Sequence, residues 1–233
     1  MTWLFDNFDY VWSLTVRHVW LSAVPIVLGF VIALPIGWYA NRHPRLRGTL
    51  LSAGSILYTI PSLPLFVIIP GIVGLGILSP LNVVIALTIY AVAIMVRSAS
   101  DAFGSVSPAV LDSASAAGFS PVQRAFRVEL PLAGPVLLAG LRVVSVSTVS
   151  LVSVGSLIGV NSLGSLFTDG YNRNFMTEIV IGVGATVVVA LFFDLVLVVL
   201  GRVLLPWASA SRPVRSTVTP MMSFAQHLRG GRV

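Results

Sequence analysis

Five apolar stretches, each about the length of a membrane-spanning helix, dominate this sequence. A hydrocarbon core about 30 Å thick requires about 20 apolar residues of α-helix. The five stretches lie at about residues 19–40, 50–69, 81–96, 136–158 and 179–205. Hydrophobic residues make up 56% of the chain and charged residues 9%, and the mean hydropathy is +0.96. We therefore predict an all-α, polytopic membrane protein with about five transmembrane helices.

The basic residues predict the orientation of these helices. All fourteen are arginine, and arginine clusters in a membrane protein mark cytoplasmic loops. If the N-terminus is outside, only Arg17 and Arg173 lie on the outer side. The loops at 42–47 and 97–131 and the arginine-rich C-terminus then all lie in the cytoplasm. This N-out/C-in orientation explains the net charge of +6 without nucleic acid as a partner.

The same boundaries divide the chain into three parts. We predict an extracytoplasmic N-terminus at 1–18, a transmembrane domain at 19–205 and a basic cytoplasmic tail at 206–233. The acidic and aromatic residues of the N-terminus are unlike the basic start of a cleavable signal, so we expect the first span to be retained. The tail lacks apolar periodicity, which is typical of a solvated segment, and anionic membrane lipid is the alternative partner for its arginines.

Composition excludes most catalytic chemistry for this chain. A nucleotide-hydrolysing phosphate loop requires lysine, and the chain contains none, so it cannot hydrolyse ATP by that chemistry. The absence of cysteine excludes disulfides and thiolate metal sites. His18, His43 and His227 lie on separate segments without metal-ligand spacing, and we interpret them as surface or interfacial residues. We expect no catalytic residue, no metal site and no cofactor bound by this chain.

A polar segment from Asp112 to Pro131 predicts two short helices around a turn. Gly118 supplies the left-handed residue that closes the first helix. Ser120 is an N-cap followed by Pro121 at the first helical position, and Gln123 is placed to complete a capping box. We expect Pro131 to end the second helix, because proline biases the preceding residue away from helix. The predicted orientation places this hairpin in the cytoplasm.

This hairpin resembles the EAA loop, the cytoplasmic signature of binding-protein-dependent ABC importer permeases. The signature reads Glu-Ala-Ala, three residues, Gly, nine residues, Ile, one residue, Leu-Pro, and the spacing matches throughout. Asp112 replaces Glu, Ser113 replaces Ala and Val128 replaces Ile, all of which are mild changes. The resemblance implies a permease subunit whose coupling helix docks on a separate ATPase subunit that binds ATP and Mg²⁺.

The resemblance also assigns residues to this coupling role. Residues 112–118 would form the coupling helix, with Phe119 exposed beside it. The implied ATPase-coupling residues are Asp112, Ser113, Ala114, Ala117, Gly118, Phe119, Leu130 and Pro131. The small side chains of this helix would let another backbone approach closely.

A wider resemblance, over roughly residues 24–205, is to the permeases of osmoprotectant importers, which move glycine betaine, carnitine, choline or proline. It rests on the run IPSLP at 60–64 and the run VELPLAGP at 128–135. It implies an ATP-driven importer in a prokaryotic plasma membrane. Its expected partners are an ABC ATPase subunit, a second permease subunit that is identical or paralogous, and an extracytoplasmic substrate-binding protein that meets the outer loops at 70–80 and 159–175.

Other functions stay open on the sequence alone. The EAA loop does not encode the cargo, so an importer of the same kind could carry methionine or another amino acid. From a different class, the chain could be an ATP-independent channel or a membrane scaffold. Association with an ATPase subunit separates these classes from the importer.

Two charged residues inside the spans require an explanation, because an ionised group at depth is paired or reaches the interface. Arg142 lies in the fourth span and Asp194 in the fifth. They could form an intramembrane ion pair, or each could snorkel separately to the inner interface.

Prolines and serines inside the spans are candidates for a gate or a polar pathway. Pro61, Ser62 and Pro64 predict a kink in the second span, which would serve either a gate or kinked packing. Ser147 and Ser150 belong to a serine-rich stretch of the fourth span. Small hydroxylated residues let helices pack closely, and lining a polar pathway is the alternative.

Overall fold

The computed structural model describes residues 2–207, which form helices joined by short turns, with no strand in that range. The helices are α1 (Thr2–Asp6), α2 (Phe8–Arg42), α3 (Pro44–Thr59), α4 (Ser62–Val73), α5 (Pro80–Gly104), α6 (Pro108–Ala116), α7 (Pro121–Arg124), α8 (Leu130–Val152), α9 (Gly164–Asn172) and α10 (Met176–Leu204). By length and composition, 4 helices can cross a membrane, or up to 5 if the bent pair α3–α4 is one span. The all-α prediction with about five spans is therefore confirmed. Most of the predicted cytoplasmic tail lies outside the described residues.

The contact between α2 and α5 is the centre of the fold. A Cβ added at Gly29 would lie 2.4 Å from the Cβ of Ala91, and one added at Gly37 would lie 2.4 Å from the Cβ of Ala99. Small residues at these positions let the two backbones approach closely, which is how helices associate within a membrane. In the most apolar stretch of each helix, 61% of the α5 residues are buried, compared with 11% of the α10 residues. Helix α5 is thus the central helix and α10 a peripheral one.

Gly37→Val is expected to destabilise the protein by about 1–3 kcal/mol, the usual cost of overpacking a core. The added Cβ would also lie 2.8 Å from the backbone nitrogen of Ser100, so α2 and α5 would have to separate. The matched control is Gly184→Val on α10, where an added Cβ meets no atom within 4 Å. Thermal unfolding of the purified variants checks this, and equal melting temperatures would contradict the close packing of α2 on α5.

The predicted second span, 50–69, is not one straight helix. Helices α3 and α4 meet at an angle of 101°. Ile60 and Pro61 between them are extended, with ψ of 127° and 141°, because proline disfavours helix at the residue before it. The hydroxyl of Tyr90 donates to the Ile60 carbonyl at 2.5 Å, so a carbonyl released by the break is satisfied inside the protein.

The second short helix of the polar hairpin does not end at Pro131. Residues Ala125–Glu129 form a π-helical turn, in which the Leu130 N–H donates to the Ala125 carbonyl, and this turn leads directly into α8. Pro131 occupies the first turn of α8. Proline clashes with the carbonyl four residues before it in a regular helix, and the wider π turn relieves that clash. The prediction of a helix end at Pro131 was therefore wrong.

His18 is fully buried, contrary to its interpretation as a surface or interfacial residue. Its Nε2 lies 3.0 Å from the carbonyl oxygen of Val149 on α8. In a regular helix this carbonyl would accept from the Ser153 N–H. A 3₁₀ stretch begins at Ser153, so its N–H bonds instead to the carbonyls of Ser150 and Leu151. His18 satisfies the released carbonyl. His43 is exposed, and His227 lies outside the described residues.

Candidate coupling loop and ion pairs

The first short helix of the hairpin, α6, ends in the glycine turn that was predicted. Gly118 has φ of +84°, its N–H donates to the Ser115 carbonyl at 3.0 Å, and the Phe119 N–H donates to the Ala114 carbonyl at 3.1 Å. These two bonds form a Schellman motif. No atom lies within 4 Å of the position that a Cβ on Gly118 would take. Glycine is therefore required by the backbone conformation and not by crowding.

The second short helix, α7, begins with the capping box that was predicted. The Ser120 hydroxyl accepts from the Gln123 N–H at 3.3 Å, and the Gln123 side-chain oxygen accepts from the Ser120 N–H at 3.0 Å. Pro121 follows at the first helical position. Only Gly118 and Phe119 lie between Ser120 and Ala117, the C-cap residue of α6, so the turn is held on both sides.

The exposed surface of the hairpin is smaller than the resemblance implied. Four of the implied coupling residues are exposed, namely Asp112, Ser113, Ala117 and Gly118. Ala114 is buried and Phe119 is half-buried, so the expectation of an exposed Phe119 was wrong. The residue that follows a Schellman glycine commonly packs back against its own helix, which accounts for this position. Leu130 and Pro131 are half-buried at the start of α8.

A buried carboxylate at the base of the hairpin escaped the sequence analysis. Glu129 is 3% exposed and accepts three hydrogen bonds. The donors are Trp38 Nε1 at 3.0 Å, Arg42 Nη2 at 2.6 Å and Arg124 Nε at 3.0 Å. We call these four residues the Glu129 cluster. One carboxylate thus joins the end of α2, the helix α7 and the start of α8.

Two further contacts reinforce the Glu129 cluster. The guanidinium carbon of Arg42 lies 4.1 Å from the centroid of the Trp38 ring, a cation–π contact. Arg124 Nη1 donates to the Ser115 hydroxyl at 2.7 Å, which ties α7 to α6. The one available signal in the sequence was Glu129 itself, one of eight acidic residues, placed five residues after Arg124. A regular helix would turn these two side chains away from each other, whereas the π turn brings them together.

The structure brings Arg142 and Asp194 together. Arg142 Nε and Nη2 donate to the two carboxylate oxygens of Asp194 at 2.6 and 2.8 Å, a bidentate pair. Each residue lies ten positions from the nearer end of its helix, so about 15 Å of helix separates it from that end. Their side chains are 45% and 31% exposed on the surface of the chain. Separate snorkelling is not the arrangement observed.

The residues proposed for a gate or pathway lie on different elements. Pro61, Ser62 and Pro64 surround the break between α3 and α4, whereas Ser147 and Ser150 lie on α8. No hydrogen bond joins the two groups within residues 2–207. Ser147 is half-buried and Ser150 is exposed, so only the second has a side chain free to line a surface.

The two predicted outer loops are each held by a buried polar side chain. Asn82 Nδ2 donates to two carbonyls of the loop at 70–80, at 2.6 and 3.0 Å. Glu178, which is fully buried, forms an ion pair with Arg173 in the loop at 159–175. This second loop, which was predicted as an outer loop, contains the helix α9. Both loops therefore have defined conformations on one end of the bundle.

Comparison of the sequence with known proteins finds relatives along most of the chain. Residues 17–210 match the family described as "Binding-protein-dependent transport system inner membrane component". The osmoprotectant import permease protein OsmW of Salmonella typhimurium is 32% identical over 88% of this chain and 96% of that protein. The glycine betaine/carnitine/choline transport system permease protein OpuCD of Bacillus subtilis is 30% identical over 88% of this chain and 89% of that protein.

Comparison of the fold gives a consistent result. An inward-facing structure of the MetNI methionine ABC transporter superposes with a TM-score of 0.71. The match covers 89% of this chain and 99% of that one, at 20% sequence identity. At this identity the likeness establishes the fold alone.

Proposed function

We propose, from the premise that this chain belongs to the binding-protein-dependent transport system inner membrane component family, that it is the permease subunit of an importer for osmoprotectants. As a family member it is a multi-pass protein of the bacterial inner membrane and the permease of an ABC importer. Such a permease is not itself catalytic and works with an ATPase subunit, which binds ATP, and with a substrate-binding protein. The class of substrate and the contacts of this chain with its partner subunits go beyond the family assignment.

The names of the relatives support the substrate class. One is an osmoprotectant permease, and the other acts on glycine betaine, carnitine and choline, all of which carry a trimethylammonium group. We propose the same class for this chain, with proline as a further compatible solute. An aromatic cage, the usual receptor for quaternary ammonium, would belong to the substrate-binding protein. Methionine or another amino acid is the alternative cargo.

The observation that carries the coupling role is the geometry of the hairpin. Its exposed residues around Gly118 form a small-faced surface that is capped on both sides of the turn. The Glu129 cluster connects this surface to α2 and α8. Docking on the ATPase subunit would therefore move the hairpin as one body and carry the movement into the membrane helices.

The pathway itself requires a second permease subunit, identical or paralogous, because five spans with α5 packed in the centre leave little room for a closed pore. ATP binding at the partner would shift the assembly between inward- and outward-facing states. The substrate-binding protein would deliver its ligand onto the two outer loops, 70–80 and 159–175.

An uptake assay tests the substrate class. Cells that lack their own osmoprotectant uptake would express this chain with its ATPase and binding protein. They would receive labelled glycine betaine, carnitine, choline, proline or methionine at high osmolarity. We expect uptake of at least one of the first three and none of methionine. Uptake of methionine alone would show the alternative cargo to be correct, and a chain that never co-purifies with an ATPase subunit would be a channel or scaffold.

A further inference from the structure

The Arg142–Asp194 pair lies on the surface of the chain, at a depth where a bilayer would surround it. The two side chains are 45% and 31% exposed, although each belongs to a long apolar helix. Charged side chains inside transmembrane segments almost always face a bundle interior or a water-filled cavity, because exposure to lipid is costly. The surface that carries this pair is therefore unsuited to lipid.

The surface beside the pair continues along α8. Val146 and Ser150 follow Arg142 at spacings of four and eight residues, so the three side chains share one side of the helix. Val146 is 49% exposed, and Ser150 is exposed as well. A strip thus runs from the charges to a hydroxyl about 12 Å further along the helix, toward the outer side in the predicted orientation. Such a strip can line an aqueous pathway.

We infer that the Arg142–Asp194 pair is a transfer site for zwitterionic substrates within the translocation pathway. This inference rests on the proposed function. Arg142 would bind the substrate carboxylate, and Asp194 would face its quaternary ammonium group. Glycine betaine and carnitine carry both groups on one short molecule, whereas choline carries only the ammonium.

Because the ion pair and the substrate exchange ionic partners, the site favours passage of the substrate over tight binding. When a zwitterion enters, Arg142 replaces one carboxylate with another and keeps a bidentate geometry. Asp194 replaces a guanidinium with an ammonium, so every charge stays balanced before and after the exchange. Each charge exchanges one partner for another, so none is left unpaired, but a trimethylammonium group donates no hydrogen bond and Asp194 loses the two that it accepts from Arg142. Binding is therefore weak enough for release, as a conducting site requires. Choline cannot replace the carboxylate and would leave Arg142 unpaired, so the site favours zwitterions.

Labelling of introduced cysteines tests whether this surface meets water. The chain contains no cysteine, so Val146→Cys creates a unique thiol. The control is Val188→Cys on α10, whose side chain is 65% exposed but lies about 120° around the helix from Asp194. The probe is a charged, membrane-impermeant methanethiosulfonate, which reacts with the thiolate that forms only in water. The complete importer in proteoliposomes would be used.

We expect the thiol of Val146→Cys to react at least about tenfold faster than that of Val188→Cys. Glycine betaine should slow the reaction of Val146→Cys. Equal, slow reaction at both positions would overturn the inference, because the pair would then face lipid or a dry subunit contact. This measurement does not depend on which solute is transported, so its failure is distinct from failure of the proposed function.

Uptake by a neutral variant tests the ligand. In Arg142→Gln/Asp194→Asn both charges are removed together, so neither is left unpaired. We expect the ratio of glycine betaine uptake to choline uptake to fall about tenfold or more, because a hydrogen bond to a charged group is lost for the zwitterion only. The matched control is Arg47→Gln/Asp101→Asn, an exposed ion pair at the cytoplasmic end, which should leave the ratio unchanged. An unchanged ratio in the Arg142→Gln/Asp194→Asn variant would overturn the assignment of zwitterions. If the unaltered importer carries no osmoprotectant, the proposed function and this ligand class both fall, and cysteine labelling still decides whether the pair meets water.

Discussion

Gly118→Asp is expected to abolish ATP-driven uptake while the chain still inserts in the membrane. Gly118 has φ of +84°, a conformation that costs a residue with a Cβ up to about 1–2 kcal/mol, with aspartate toward the lower end of that range. That strain alone corresponds to a factor of up to about 5–30 in an equilibrium. The aspartate would also place a negative charge on the exposed turn proposed to dock on the ATPase. Uptake of labelled substrate and co-purification of the ATPase subunit are the measurements.

Two control variants separate the causes of this loss. Gly48→Asp adds the same side chain at another exposed glycine, in α3, where a Cβ also meets no atom within 4 Å. It should leave uptake and ATPase association unchanged. Gly118→Asn adds a side chain of the same size, which tolerates the left-handed conformation as aspartate does but carries no charge, so it should retain more uptake than the aspartate variant. If Gly118→Asp transports as well as the unaltered chain, the coupling role proposed for this turn is wrong.

Glu129→Gln is expected to release the hairpin from the membrane helices and to lower the stability of the protein by about 3–5 kcal/mol, the usual cost of breaking a buried ion pair by removing one partner. The glutamine keeps the size of the side chain but cannot balance the charges of Arg42 and Arg124. For a protein of this size the loss corresponds to a fall in melting temperature of about 10 °C. Thermal unfolding in detergent measures it, and tryptic cleavage after Arg124 and Arg127 should become faster.

The matched control for Glu129→Gln is Asp101→Asn. Asp101 accepts from Arg47 at 2.8 Å, but the two side chains are 53% and 40% exposed. An exposed pair contributes about 0–1 kcal/mol, so the melting temperature should hardly change. Equal effects of the two substitutions would mean that the Glu129 cluster does not hold the hairpin.

Short patterns in the sequence were sufficient for the glycine turn and the capping box of the hairpin, but not for its end, where a π turn leads into α8 and the helix does not stop at Pro131. Ser120 and Gln123 are three residues apart and complete their capping box without help from the rest of the chain. Gly118 closes its helix through bonds to residues within the same helix. The break at Pro61 was also predictable, because proline restricts its immediate neighbour. Its angle of 101° was not, because the direction of α4 depends on what α4 packs against.

The sequence by itself determined the class of this protein, since long apolar runs must become helices when no water is available to backbone groups. It also determined the glycine turn and the capping box of the hairpin and, through the spacing of one loop, the family. Only the tertiary structure decided which charged and polar side chains meet. Glu129 contacts residues 87 and 91 positions away, His18 contacts a carbonyl 131 positions away, and Arg142 pairs across 52 positions. Such contacts depend on how helices rotate and pack against one another, which the period of a single helix does not encode.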